Sequence, residues 1–238
     1  MGVVYGTNLN LLVRSGLIVN LDVVVPGSYP GTGTVWYDLS GNNNNGTLVN
    51  MDGTNYSSAN GGYFTFDGVN EGVSIPNLTL GSNDWTLEGW LYLSSGVTEA
   101  AIFSHFLGSS LDRAVSCYVS SLDSPNKFSL QHRLSDGSYL NSTGATTLST
   151  ETWYYFVATR SNDSYYTYIN GVEDSSNTSA PPGHTYYTDN KPYYIGYNRN
   201  GVANLSGRIP TIRFYLGKSL TLSEIQSNFT ITRPRYGV

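Results

Sequence analysis

Charged residues are scarce in this chain of 238 residues and make up 12% of it. The 12 Lys and Arg are outnumbered by 17 Asp and Glu, which gives a formal net charge of −5, and no stretch concentrates the basic residues. Proteins that bind nucleic acid use basic patches to neutralise phosphates. The composition therefore argues against nucleic acid as a partner.

Cysteine and histidine are also rare. Cys117 is the single cysteine, so no disulfide can form within the chain, and stability does not depend on an oxidising compartment. The three His and one Cys show none of the spacings typical of zinc sites.

Long apolar runs are absent, since none approaches the roughly 18 residues that a membrane span requires. Asn8, Asn10 and Arg14 interrupt what would be the apolar core of a signal peptide. Gly6 stands where a myristoylation signal has Ser or Thr. We therefore expect a protein made in a cytoplasm, with no membrane partner.

Glycine and tyrosine are abundant, with 26 and 20 residues, as is typical of an all-β protein with many turns. The clearest element is Trp153–Gly171, which predicts a hairpin. A β-prone run to Arg160 is followed by four turn formers, Ser161–Ser164, then by a second β-prone run and the turn dipeptide Asn170-Gly171. The continuous apolar character of the first run predicts a central strand that is covered on both faces.

Further short β-prone segments occur along the chain, at 16–22, 46–49, 63–67, 72–75, 84–93, 100–105, 114–119, 127–133, 146–148, 193–197 and 207–216. A long loop is expected between Ser175 and Lys191, and Pro210 predicts an edge or bulge in the last strand. Because no helices alternate with these strands, the pattern predicts an all-β, two-sheet sandwich.

One short C-terminal helix is also predicted. Thr221 can cap it and Glu224 can reach back to the cap, which is a capping box. Leu222, Ile225 and Phe229 then fall on one face, which we expect to close the sandwich.

Several segments resemble laminin-G-like domains of the concanavalin A-like lectin/glucanase superfamily. In chain order they are Phe66–Asn70 with Val73–Pro76, Trp85–Trp90, the Trp153–Gly171 hairpin, Tyr194–Gly196, and Arg213–Tyr215 leading to Leu220–Ile225. The resemblance implies a single jelly-roll domain of two packed antiparallel sheets. We place it at residues 16–230, between an N-terminal arm (1–15) and a C-terminal tail (231–238).

A narrower resemblance concerns Ser28–Asn50 and the ending Arg233–Val238. Both look like stand-alone modules of this family in the virion proteins of tailed phages. They imply a non-catalytic structural or decoration protein of the virion (capsid or tail), assembled in the host cytoplasm. Its partners would be other virion proteins, further copies of itself, for example in a trimer, and cell-surface glycans. The alternative is a free carbohydrate-binding module.

Catalysis is not expected, although the superfamily includes glucanases. A retaining glycosidase needs two carboxyl groups about 5 Å apart. In the family's enzymes these belong to a Glu-x-Asp-x-x-Glu pattern, which this chain does not contain. Glu88 stands alone between Leu87 and Gly89, so a glucanase-like hydrolase is a distant alternative.

Calcium is the one cofactor that the resemblance implies, because laminin-G-like domains often bind it at a rim of the sandwich. Calcium takes about six to eight oxygen ligands. Asp67, Asn70 and Glu71 cluster on a turn and are the candidate ligands, although the family often has Asp at the latter two positions. The alternative is that Asp67 caps the turn by accepting backbone N–H bonds.

Tyrosines around the predicted long loop are candidates for binding a carbohydrate or a protein partner. They are Tyr186, Tyr187, Tyr193 and Tyr197. Aromatic rings stack on sugars, and Tyr-rich rims equally suit protein contacts. With 20 Tyr in the chain, however, some will lie on every surface.

Overall fold

The computed structural model describes residues 11–97, 99–105, 115–120, 126–177, 181, 183–197 and 203–238. Its strands are β1 (Leu17–Asp22), β2 (Val35–Trp36), β3 (Gly46–Val49), β4 (Tyr56–Ser57), β5 (Tyr63–Asp67), β6 (Gly72–Ile75), β7 (Trp85–Leu93), β8 (Ala100–Ser104), β9 (Val115–Ser120), β10 (Lys127–Arg133), β11 (Tyr139–Thr147), β12 (Trp153–Ser161), β13 (Ser164–Ile169), β14 (Val172–Asn177), β15 (Tyr193–Ile195), β16 (Ser206–Ile209) and β17 (Thr211–Leu216). The helix α1 spans Leu222–Thr232, and short 3-10 turns lie at Gly53–Asn55, Ala59–Gly61 and Arg233–Arg235.

Two antiparallel sheets form a jelly-roll sandwich, which confirms the predicted fold class. Sheet I has the order β14-β13-β12-β7-β16-β5-β4, and β17 lies between β7 and β1. Sheet II has the order β11-β10-β9-β8-β15-β6-β3-β2. Pro210 separates β16 from β17, because it has no N–H to continue the ladder, so the predicted strand 207–216 is two strands.

The main core lies between the sheets, where alternate residues of both sheets meet. In β7, Leu87, Leu91 and Leu93 belong to this core. Trp90 of the same strand belongs to a second apolar cluster on the outer face of sheet I. β7 and β12 are therefore buried on both faces, as predicted for a central strand.

The predicted hairpin is confirmed. β12 pairs with β13 from Phe156 opposite Ile169 to Ser161 opposite Ser164. Asn162 and Asp163 have φ angles of 46° and 55°, and Asn170 and Gly171 have 52° and 77°. Each pair thus has the two positive φ values of a type I′ turn.

Two strands differ from the prediction. β14 continues to Asn177, so the long loop begins later than the predicted Ser175. β14 is an edge strand with a polar sequence and no fully buried side chain. Its sequence therefore lacks the apolar pattern that predicts a strand. β11 begins at Tyr139 and alternates buried with exposed positions over a polar sequence, where only 146–148 were predicted.

The C-terminal helix forms with the predicted capping box. The Thr221 hydroxyl accepts a hydrogen bond from the Glu224 N–H at 3.3 Å, and the Glu224 carboxylate accepts one from the Thr221 N–H at 2.8 Å. Ile225 packs on the outer face of sheet I and Phe229 stacks on Trp90, whereas Leu222 remains 45% exposed. Among the described residues no helix has the length and apolar character needed to cross a bilayer.

Both chain ends pack against sheet I where they are described. The Val13 N–H donates to Asn228 of α1 at 3.2 Å, and Arg235 and Tyr236 are buried. Residues 1–10 of the predicted arm lie outside the described residues.

Candidate functional site

A polar pocket of about 540 Å³ lies at one end of the sandwich, and we call it the rim pocket. Its described lining residues come from the loop before β7, the end of β12 with the β12–β13 turn, and the loop before β15: Gly81, Ser82, Asp84, Arg160, Asn162, Asp163, His184, Thr185, Tyr186 and Thr188. The first two segments meet because Arg160 pairs with Trp85 in the register of β12 and β7. An isolated bridge between Leu134 and Tyr186 brings the third to the same end.

Arg160 holds these segments together. Its Nη1 donates to the carbonyls of Ser82 and Asn83 at 2.7 and 2.8 Å. Its Nη2 donates to Asp163 Oδ1 at 2.5 Å, and its Nε donates to the Tyr186 hydroxyl at 3.2 Å. Because only 3% of Arg160 is exposed, its guanidinium is engaged by protein groups and forms the floor of the pocket.

Tyr186 forms the back wall. Its hydroxyl donates to Asp163 Oδ1 at 2.6 Å and lies 2.7 Å from His184 Nε2. Its ring stacks on His132, with centroids 4.3 Å apart, and the Arg160 guanidinium lies over it at 4.6 Å. Burial, followed by the hydrogen bond to Asp163, raises the pKa of Tyr186, so the hydroxyl keeps its proton.

His132 is a neutral part of this wall. Burial, reinforced by the neighbouring Arg160 and His184, lowers its pKa to about 3. Its Nδ1 lies 2.9 Å from the Tyr165 hydroxyl. The contacts of His132, Tyr165 and Tyr186 fix the wall from behind.

The open side of the pocket carries carboxylates. The side chains of Asp163 and Asp84 are 50% and 32% exposed. The hydrogen bond from Tyr186, helped by Arg160 and opposed by partial burial, lowers the pKa of Asp163, which is therefore ionised at neutral pH. Together with the hydroxyls of Thr185 and Thr188 and the amide of Asn162, these groups are suited to hydrogen-bond a polyhydroxylated ligand.

A smaller pocket of about 260 Å³ adjoins the rim pocket, and we call it the side pocket. It shares His184 and Thr185 with the rim pocket and adds Leu134, Asp136, Pro181 and Gly183. The side-chain hydrogen bond from Ser138 is the main cause of the lowered pKa of Asp136, so this pocket also presents an ionised carboxylate.

Of the four predicted tyrosines, Tyr186 is in the lining of the rim pocket. Tyr187 lies under the Arg133 guanidinium at 4.8 Å, and Tyr197 makes an edge contact with Tyr194. Tyr193 requires a correction: it is 2% exposed and stacks on Phe103 in the core, so a ligand at the rim cannot reach it.

Sequence reasoning missed the other groups of the rim pocket. The sequence marks Asp163 as a turn former and Arg160 as the end of a strand. It marks Asp84 only as the start of a strand, and His184 belongs to no motif. Nothing in the sequence signals that these residues, which come from three separate segments, share one pocket.

Several oxygens of the predicted calcium turn accept hydrogen bonds from the protein itself. Asp67 Oδ1 accepts the Val69 N–H at 2.7 Å, as expected for a capped turn. Glu71 accepts the Asp67 N–H and the Asn55 side-chain amide, both at 2.7 Å, while the Asn70 carbonyl accepts the Asn50 amide at 2.8 Å. Among the described residues no group of three or more His, Cys, Asp or Glu could hold a metal. This donor set does not fit a calcium cage, and calcium binding here stays a prediction, which calorimetric titration can test.

Glu88, the lone acid of the glucanase alternative, is sealed within the protein. It is 0% exposed and lies on the outer face of sheet I beneath α1. It accepts hydrogen bonds from Tyr155 at 2.5 Å, Asn228 at 2.9 Å and Arg213 at 3.2 Å. These contacts describe a buried ion pair without access for a substrate.

Comparison with known families identifies the class of protein. A laminin-G-type family profile, described as the concanavalin A-like lectin/glucanases superfamily, matches residues 66–226. The match covers more than half of the chain, which therefore belongs to this superfamily. A sequence search of curated proteins finds no match.

Solved structures show the same fold at low sequence identity. The binding domain of Paraclostridial Mosquitocidal Protein 1 is similar with a TM-score of 0.68 and 16% identity, over 91% of this chain and 52% of that one. Domain 4 of an extracellular arabinanase from Geobacillus stearothermophilus, in complex with arabinotriose, gives 0.67 and 17%, over 89% and 97%. The binding domain of botulinum neurotoxin serotype D gives 0.66 and 15%, over 92% and 51%. The chain thus spans about half of the two toxin domains and nearly all of the arabinanase domain.

Proposed function

We propose that the protein is a non-catalytic glycan-binding module and that the rim pocket is its binding site. The observation that carries this proposal is the construction of the pocket. Exposed carboxylate, hydroxyl and amide groups line its open side, while Arg160 and Tyr186 hold its floor and wall rigid. Pre-ordered polar groups in a concave site are what recognition of sugar hydroxyls requires.

The size of the module supports a binding role. Domain 4 of the arabinanase, which was solved with arabinotriose, is matched over 97% of its length, so a unit of this extent occurs as a domain beside a catalytic chain. The matched toxin chains are also binding domains. These likenesses establish the fold, and the rim pocket supplies the argument for glycan binding.

The acids of the rim pocket do not support hydrolysis. A glycosidase needs one carboxyl group that stays protonated to donate to the leaving group, and its pKa must therefore be raised. The pKa of Asp163 is lowered instead, because Tyr186 and Arg160 both donate to its carboxylate. With Glu88 sealed under α1, we assign the protein no enzymatic activity.

The proposal is tested by screening the purified protein on an array of neutral and acidic oligosaccharides. We expect binding to at least one glycan, and a loss of roughly tenfold or more in affinity for Asp163→Asn, because one charge-assisted hydrogen bond contributes about 1.5–3 kcal/mol. Asp52→Asn is the matched control, since Asp52 is likewise an aspartate in an exposed turn that accepts hydrogen bonds from the protein but lies outside the pocket. Absence of binding across the array, or equal binding by Asp163→Asn, would overturn the proposal.

For the setting of this module we propose the virion of a tailed phage, as a structural or decoration protein of capsid or tail that assembles with virion proteins or with further copies of itself. The support is the resemblance of Ser28–Asn50 and Arg233–Val238 to modules of such particles. Mass spectrometry of purified particles should detect the protein in fixed stoichiometry. If it were found only free in the lysate, the free carbohydrate-binding module would be the better description.

A further inference from the structure

We propose that the rim pocket and the side pocket together bind an uncharged oligosaccharide and reject glycans that carry a carboxylate, sulfate or phosphate group. This inference rests on the proposed function and adds the class of ligand. Its basis is the sign of the charge that the two pockets expose and the wall that they share.

Arg160 is the one permanent positive charge among the described lining residues of both pockets. It is 3% exposed, and its three nitrogens already donate to Asp163, to Tyr186 and to the carbonyls of the loop before β7. An anionic sugar could pair with it only by displacing these partners and leaving them unsatisfied in a partly buried site.

Asp84 and Asp163 are the exposed charges of the rim pocket, and Asp136 adds a third carboxylate in the side pocket. His184 stands in the shared wall, where Nε2 lies 3.3 Å from Asp163 Oδ1. A ligand carboxylate or sulfate would approach three negative charges, and the described lining residues expose no permanent cation to it. Such like-charge juxtaposition is a strong means of rejecting a ligand.

The hydroxyl groups of an uncharged sugar can donate hydrogen bonds to the carboxylates of the rim pocket. An ionised carboxylate accepts about four hydrogen bonds, and those from a neutral donor to a charged acceptor are stronger than neutral pairs. Asp163 Oδ1 is occupied by the protein's own donors, while the half-exposed side chain leaves Oδ2 for a ligand. Sugar hydroxyls are therefore the donors that match this site.

The length of the ligand follows from the shared wall. His184 and Thr185 separate two pockets of about 540 and 260 Å³, so a ligand seated in the first can continue over this wall into the second. We infer a chain of at least two sugar units, the second of which lies beside Asp136.

The experiment compares glycan pairs that differ by one acidic sugar residue, such as lactose with sialyllactose, together with arabinotriose and the strongest neutral glycan found on the array. Isothermal titration calorimetry at low and high salt gives the affinities. We expect the neutral member to bind at least tenfold more tightly than its acidic partner. This difference in affinity should become smaller in high salt, because ions screen exposed charges.

Two variants locate the effect. Asp84→Asn combined with Asp163→Asn should reduce the difference in affinity between neutral and acidic glycans. Asp136→Asn should weaken the binding of an oligosaccharide more than the binding of its terminal monosaccharide. Asp52→Asn should change neither quantity. Circular dichroism in the near ultraviolet checks that the folded state is retained.

The outcomes separate the two proposals. Equal or tighter binding of the acidic members overturns this inference and leaves the proposed function standing. If neither class of glycan binds, the proposed function fails and this inference fails with it. An unchanged difference in affinity in the double variant would show that the carboxylates do not set the preference, which also contradicts the inference.

Discussion

Tyr186 illustrates how an aromatic residue serves a polar site. Its ring stacks on His132 and supports the Arg160 guanidinium, so the hydroxyl is the end that acts in the rim pocket. The sequence suggested a tyrosine whose ring would stack on a sugar. The structure gives the residue a different role, because the ring is occupied by protein groups and is 9% exposed.

At the residue scale, His132 predicts a pH dependence of stability. Its pKa is about 3 in the folded chain, against an ordinary value of 6.5. Between these values the unfolded chain takes up a proton that the folded chain does not, so the free energy of unfolding falls as pH decreases from about 6.5 towards 3. Each unit of difference in pKa corresponds to about 1.4 kcal/mol.

His132→Gln removes this titration and should flatten the decline, even if the variant is less stable at every pH. Urea denaturation at pH 7, 5.5 and 4 measures it. An identical decline in variant and wild type would contradict the burial of a neutral His132.

At the scale of elements, the C-terminal segment acts as a cover for sheet I. Arg213 of β17 joins Glu88 at 3.2 Å and Asp22 at 3.0 Å, all of them buried. Arg235, beyond α1, closes the cluster by donating to both carboxylate oxygens of Asp22 at 3.0 and 2.9 Å. The buried Glu88 is thereby covered, and the proposed glycan site lies elsewhere, on the loops at the end of the sandwich.

Arg235→Met should lower the free energy of unfolding by about 3 kcal/mol, because Asp22 loses one of its two charged partners in a buried site and keeps Arg213 as the other. Chemical denaturation measures the loss. The neighbouring Arg233→Met is the control: Arg233 is exposed, and its contact with the Phe229 ring at 5.6 Å contributes about 0.5–1 kcal/mol. Equal effects of the two substitutions would contradict the cover described here.

Much of the fold was predictable from local chemistry. The turn residues Asn162-Asp163 and Asn170-Gly171, the capping box of Thr221 and the break at Pro210 act over a few residues and are visible in sequence. β14 was missed because its side chains are polar, and its position depends on pairing with β13.

The rim pocket was missed for a similar reason. Arg160 and Ser82 are 78 positions apart, and only the register of β7 and β12 brings them together.

At the scale of the whole molecule, the covered face of sheet I is distinct from the polar loops at one end of the sandwich. Sheet I is covered by α1 and by described residues near both chain ends, and the two sheets bury a common core. The loops before β7 and β15 and the β12–β13 turn carry the exposed polar groups. The proposed binding site of this chain therefore lies away from its buried acid, Glu88.

The most direct test of the glycan-binding account is to map the ligand on the folded chain. In a ¹H–¹⁵N correlation spectrum titrated with the strongest neutral glycan from the array, we predict that the shifted backbone amides cluster in the rim and side pockets, at Gly81, Asp84, Asn162, Asp163, Gly183, Thr185 and Thr188. Amides at Gly89, Trp90 and Asn228, around the buried Glu88, should not move. Shifts centred on that face or on the Asp67–Glu71 turn, or no saturable shifts at all, would contradict the account.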